Sequence, residues 1–258
     1  MKIAVIQTDN LPYDTANLSY LIQRAKKEKA KLVLLPEYVL NRFFKEIEKM
    51  PISFIKNQTK HQLKHLKQLS KVYSITIIAP LIKIIKDEKF KVIAKIDGER
   101  IKYYYQQVYM PYSHWREDKF FDINESTPLV FNIDNIKFGV MFGFEAHIEK
   151  FWEYFNKKNV DCILIPSVGT FNSYQRWLNI LQTKAFLNHK YVIRANRIGA
   201  YKDWEFYGKS FGISPEGEIL NILGNKEEIG IFSIKKEKII EARKEWKFLE
   251  LSKLIKHF

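Results

Sequence analysis

Two hydrophobic periods alternate along the chain. Residues 2–7 (KIAVIQ), 30–35 (AKLVLL), 76–85 (TIIAPLIKII), 160–166 (VDCILIP) and 191–196 (YVIRAN) are short apolar runs that read as buried strands. Between them the spacing becomes helical. Leu18, Leu21, Ile22 and Ala25 mark the buried face of a helix over 17–29, with Asn17 as its cap, and 59–73 and 174–189 also read as helices. Strand, helix, strand in that order implies a right-handed crossover between parallel strands. Glu37 then falls just past the strand-ending Pro36, at the carboxyl end of a central strand, where open α/β sheets put their chemistry.

Antiparallel pieces carry a different signature. Residues 89–96 and 99–105 pair through Asp97-Gly98, a good turn dipeptide, and 208–213 pairs with 218–223 across Pro215-Glu216-Gly217. A late strand covers 229–234, and 237–258 is a basic amphipathic tail. Residues 106–115 (QQVYMPYSHW), continued by Phe120 and Phe121, form an aromatic loop of the kind that lines a pocket. In 136–147 (IKFGVMFGFEAH) an apolar strand runs into Gly143, and Ile148, Phe151, Trp152 and Phe155 then mark a helix over 145–156. Strand, sharp turn and helix make the layout of a nucleophile elbow, here with glycine at the tip.

Length and composition narrow the class. A chain of 258 residues, 46% hydrophobic, suits one α/β domain over 1–258. The net charge of +14 raises the question of nucleic acid or an anionic surface, but only 8 of the 43 basic residues are Arg and the lysines are scattered through amphipathic stretches. A solvated lysine-rich surface is the better reading, with no zinc-finger or RNP-type motif against it. The single cysteine, Cys162, excludes an internal disulfide and a cysteine-based metal cage, and reads as a core thiol at the start of its strand. No run approaches the roughly 20 apolar residues of a membrane span. The expectation is a soluble cytoplasmic protein.

An ordered set of motifs resembles the nitrilase, or carbon-nitrogen hydrolase, superfamily. It comprises Gln7 and Asn17, residues 30–37 ending in Leu-Pro-Glu, the Gly98 hairpin leading to Met110-Pro111, and 139–145. It continues through 161–167, Ala185, Asn188, 191–199 (YVIRANRIG), Gly208 to Ser210, Pro215, Gly217 and Arg243. The resemblance implies a four-layer α-β-β-α sandwich, a homodimer or larger homo-oligomer, and hydrolysis of non-peptide C–N bonds by a cysteine nucleophile without metal or organic cofactor. It puts the general base on Glu37, the oxyanion lysine on Gln106 and the nucleophile on Gly143, two residues before Glu145. The second carboxylate falls near Ser113 or His114, with Glu117 the nearest acid. Ligand contacts are expected from Asn41, Ser113, His114, Phe144, Glu145, Ser167 and Thr170.

Two chemical positions therefore carry residues that cannot perform the family's chemistry. Glycine has no nucleophile and glutamine no positive charge, and Lys102, four residues before Gln106, lies too far along its strand to stand in. The expected function is a catalytically impaired homologue that binds a small amide, carbamoyl or carboxylate-type ligand. The alternative is an active amidohydrolase using Glu37 with water or another nucleophile, and the remote one a binder of nucleic acid or anionic surfaces.

Overall fold

Strand β1 (Lys2–Gln7) leads through helix α1 (Thr15–Lys27) to β2 (Leu32–Leu34), and the two strands pair in parallel, Ile3 opposite Leu32. The computed structural model describes residues 1–170, 173–251 and 254. After α2 (Phe44–Ile47) and α3 (Ile52–Tyr73) come β3 (Thr76–Ile85), β4 (Glu88–Asp97) and β5 (Arg100–Tyr105). The aromatic loop holds two short paired strands, β6 (Pro111–Tyr112) and β7 (Trp115–Arg116), and then α4 (Glu117–Phe120). The second half runs β8 (Val130–Ile133), β9 (Ile136–Val140), α5 (Glu149–Lys157), β10 (Cys162–Ser167), α6 (Tyr174–Asn188) and β11 (Tyr191–Asn196). It ends with β12 (Ile198–Tyr201), β13 (Trp204–Tyr207), β14 (Phe211–Ile213), β15 (Ile219–Ile222), β16 (Glu228–Ser233), α7 (Lys236–Trp246) and α8 (Phe248–Leu251).

These strands form two six-stranded sheets, ordered β16-β1-β2-β3-β4-β5 and β15-β14-β11-β10-β9-β8. Side-chain alternation explains the layers. Ile3 and Val5 of β1 point inward with Leu32, Leu34, Ile78 and Ile93 to meet Phe138, Val140, Leu164 and Ile193 of the other sheet. Ala4 and Ile6 point outward with Val33 and Ile77, against Leu18, Leu21 and Ile22 of α1 and Leu66 and Leu69 of α3. On the far side α5 and α6 cover the second sheet with Trp152, Phe155, Leu181 and Ala185. Helix, sheet, sheet and helix are the four layers that the resemblance implies.

Several boundaries differ from the sequence expectation, each for a local reason. Asp14, not Asn17, caps α1, its carboxylate accepting the N–H of Asn17 at 2.9 Å. Helix α3 starts seven residues before position 59, directly after Pro51, and buries Ile55 and Gln58. The helix expected over 145–156 is broken at Ile148, which is extended, so a single 3-10 turn (Phe144–His147) precedes α5. The β12–β13 hairpin escapes a glycine-based search because its turn, Lys202-Asp203, has Lys202 at φ 49° with no glycine. The expected tail is docked structure: α7 buries Ile239 and Ala242, and Arg243 reaches Asp161 at 3.2 Å. Residues 252, 253 and 255–258 of it lie outside the described residues.

Candidate active site

Glu37 is tied in place from both sheets. Its backbone N–H donates to Ser167 O at the end of β10, 3.2 Å away, and its Oε1 accepts the backbone N–H of Gly143, also at 3.2 Å. The side chain is 2% exposed. The next residue, Tyr38, adopts φ 57°, a backbone conformation that a tyrosine takes only when its surroundings enforce it. Arg197 Nη1 donates to its carbonyl at 2.8 Å, its hydroxyl donates to Glu117, and the Lys91 ammonium lies 4.6 Å from its ring centroid.

A lysine reaches the site from the strand beside Gln106. Gln106 N donates to Lys91 O at 2.9 Å, making the two residues cross-strand partners whose side chains leave the same face. From there Lys91 forms ion pairs with Glu37 and, at 2.8 Å, with Glu117. Gln106 itself turns to Val108 O, 2.8 Å from its Nε2. Glu37, Lys91 and Glu117 thus form a buried triad, while Gln106, where the resemblance puts the oxyanion lysine, carries no charge and Lys91 was not foreseen from the sequence. Burial raises the Glu37 pKa, Lys91 opposing and Glu117 adding to the shift. Burial also acts to lower that of Lys91, but the two carboxylates outweigh it and the net shift is upward. The ammonium stays charged between them.

Gly143 stands at the turn after β9 with helical φ and ψ. A Cβ there would lie 2.8 Å from Ser167 Cβ and 3.2 Å from Glu37 Oε1, so the space that a nucleophile's side chain needs is partly filled by Ser167. Cys162 is no replacement. It is wholly buried at the opposite end of β10, and burial, with Asp161 beside it, pushes its thiol pKa well up.

A cavity of about 570 Å³ opens over Glu37 and Gly143, a size ordinary for small-molecule sites. Of the expected ligand contacts, His114, Phe144 and Thr170 line it. The others lie elsewhere. Asn41 is buried, holding Gln58, Thr59 and the N–H of Ile82. Ser113 is exposed and outside the lining. Ser167 is behind the wall, donating to Ala195 O at 2.8 Å. Glu145 is a strut: its carboxylate accepts from Tyr104 Oη at 2.7 Å, Gln107 N at 2.7 Å and Phe142 N at 2.9 Å, fastening the aromatic loop to the turn. The lining also takes Trp177, Arg176 and Ser173 from the start of α6, which the sequence reading missed. Their signal was the helical start itself, next to the Thr170 loop.

Glu37, Lys91 and Glu117 thus lie together beneath a pocket at one end of two stacked sheets. The chain belongs to the carbon-nitrogen hydrolase family, which it matches over residues 2–244. It is similar to the N-carbamoylputrescine amidase of Solanum tuberosum, 21% identical over 272 residues covering 95% of this chain and 90% of that protein. A nitrilase of Pyrococcus abyssi is 28% identical over 131 residues, half of this chain, and the match spans only 48% of that nitrilase. Among solved structures, the carbon-nitrogen hydrolase from Helicobacter pylori G27 superposes with a TM-score of 0.88 at 20% identity, covering 100% of this chain and 99% of that one. A mutant amidase from Nesterenkonia sp. AN1 in complex with butyramide gives 0.80 at 18%, covering 96% and 95%.

Proposed function

We propose that this chain binds small amides in the Glu37 pocket and does not hydrolyse them by the covalent cysteine route. The observation that carries this reading is the Gly143 backbone facing Glu37 at 3.2 Å, with no side chain between them. Loss of a nucleophile from a coupled catalytic set costs on the order of a millionfold in turnover. The butyramide complex of the Nesterenkonia amidase supports the ligand class. The test is titration of the chain with butyramide together with an assay for released ammonia. Saturable binding without ammonia is expected; absence of binding overturns the reading.

The Glu37–Lys91–Glu117 triad supports a second reading, hydrolysis by water that Glu37 deprotonates while Lys91 offsets the developing oxyanion. Ammonia release that disappears in Glu37→Gln would favour it over the first. The family resemblance further supports a homo-oligomer, which light scattering on the purified chain tests.

A further inference from the structure

A second cavity, of about 310 Å³, opens at the other end of the second sheet from Glu37, where β10 and β11 begin. Two cations converge in its wall. Lys190 Nζ and Arg243 Nη2 each donate to the Val160 carbonyl at 2.8 Å, so the two charges share one neutral oxygen and stand within two hydrogen-bond lengths of each other. Lys190 is 1% exposed and, among the described residues, forms no ion pair. His189 lines the same cavity and is as deeply buried, its ring stacked on Phe248 at 5.3 Å. Neither its Nδ1 nor its Nε2 has a hydrogen-bond partner among the described residues. Such unmade bonds are costly in a buried group.

The local charges do not balance. Lys247 and Glu250 complete the charged lining, and behind it the buried Asp161 pairs with Lys236 at 2.5 Å and Arg243 at 3.2 Å. Lys190, Lys236, Arg243 and Lys247 therefore stand against two carboxylates. Asp161 acts on Lys190 as well, but burial and Arg243 outweigh it and bring the Lys190 pKa down to about 7. Helices α5 and α6 end here, and their negative ends offset part of the excess. Their carbonyls at Phe155, Asn156, Ala185 and Phe186 are already taken by the backbone N–H groups of Val160, Asn159, Lys190 and His189. Two further N–H bonds of Lys190 and one of His189 are left for an acceptor. A carboxylate would cancel half of a twofold excess; a phosphate dianion cancels it and offers oxygens in several directions at once.

We propose that this cavity binds a phosphate group, as inorganic phosphate or at the end of a small phosphomonoester, between Lys190, Arg243 and His189. The test is calorimetric titration of the full chain at pH 7 and constant ionic strength with inorganic phosphate, glycerol phosphate and acetate. One equivalent of phosphate is expected to bind, at least tenfold more tightly than acetate, and the tighter of the two phosphates names the source. Lys190→Met is expected to weaken phosphate binding at least tenfold. His189→Phe keeps a ring against Phe248, removes both nitrogens and is expected to weaken it at least threefold. Phosphate binding no tighter than acetate overturns the proposal, as does affinity that survives in Lys190→Met, which would mark diffuse attraction to the basic surface. Displacement of phosphate by butyramide would put the anion in the Glu37 cavity and overturn it too. Should Lys190→Met not fold, His189→Phe decides, and an unchanged affinity there overturns the assignment. The amide-binding reading stands apart: phosphate binding without butyramide binding sinks that reading and leaves this one, and the reverse result sinks this one alone.

Discussion

Lys91 Nζ stands 2.8 Å from Glu117 Oε1 and pairs on its other side with Glu37, although it belongs to β4 and not to the strand that leads into Gln106. Lys91 sits one strand over from Gln106, about 5 Å away, and its four-carbon stem reaches both carboxylates.

Removing that charge leaves two buried carboxylates facing each other. Lys91→Met is expected to lower stability by about 3–5 kcal/mol, because it strands uncompensated buried charge. Gln106→Leu breaks one hydrogen bond and is expected to cost about 1 kcal/mol. Urea denaturation of both variants at pH 7 ranks them, and the opposite ranking would remove Lys91 from the centre of the site.

Restoring a thiol requires room before it requires a lysine. Gly143→Cys is expected to cost about 1–3 kcal/mol from overpacking, since its Cβ would meet Ser167 Cβ at 2.8 Å. Gly143→Cys with Ser167→Gly relieves that contact and should regain part of the loss. Alkylation by acrylamide, followed by mass spectrometry, reads whether the new thiol is reactive. Labelling of the double variant without any change at Gln106 is the expected result.

Two buried groups give stability opposite slopes with pH. Burial raises Glu145 from 4.5 to about 7. Between those values the folded chain binds the extra proton, so stability falls as pH rises, by about 3 kcal/mol in all. Burial and the neighbouring Arg243 lower Lys190 from 10.5 to about 7. Above 7 the unfolded chain binds more protons there, and stability rises with pH. Thermal melts across pH 4 to 10 should show Glu145→Gln flattening the lower limb and Lys190→Met the upper.

The pocket's outer wall rests on an aromatic cluster. Phe43 is fully buried, with ring centroids of Phe44, Trp115 and Phe206 at 4.9, 5.0 and 5.3 Å. Phe43→Ala is expected to cost about 3–5 kcal/mol. By loosening Trp115, which lines the cavity, it should also weaken butyramide binding. Calorimetric titration beside the melting curve separates the two effects.

Periodicity made the sandwich readable because β1, β2, β10 and β11 are dense in Ile, Val and Leu, and motif order pointed to the family. Glu37, Gly143 and Glu117 followed from positions relative to those motifs. Lys91 did not. It alternates in phase with buried Ile93 but also with half-buried Lys95, so spacing along the strand could not say that it faces inward. Asn41, Ser167 and Glu145 were legible as polar residues near the site, yet only the fold shows that their hydrogen bonds are spent on holding backbone.

The pairing of β1 with β16, in register from Lys2–Ser233 to Gln7–Glu228, also bears on how the chain is made. At roughly 5–20 residues per second, a ribosome takes on the order of tens of seconds to deliver the second strand after the first. Throughout that interval the growing chain carries an apolar strand with one bare edge beside β2. The first sheet gains β16 only after every strand of the second sheet has been made, and until then that edge is open to pairing with other chains.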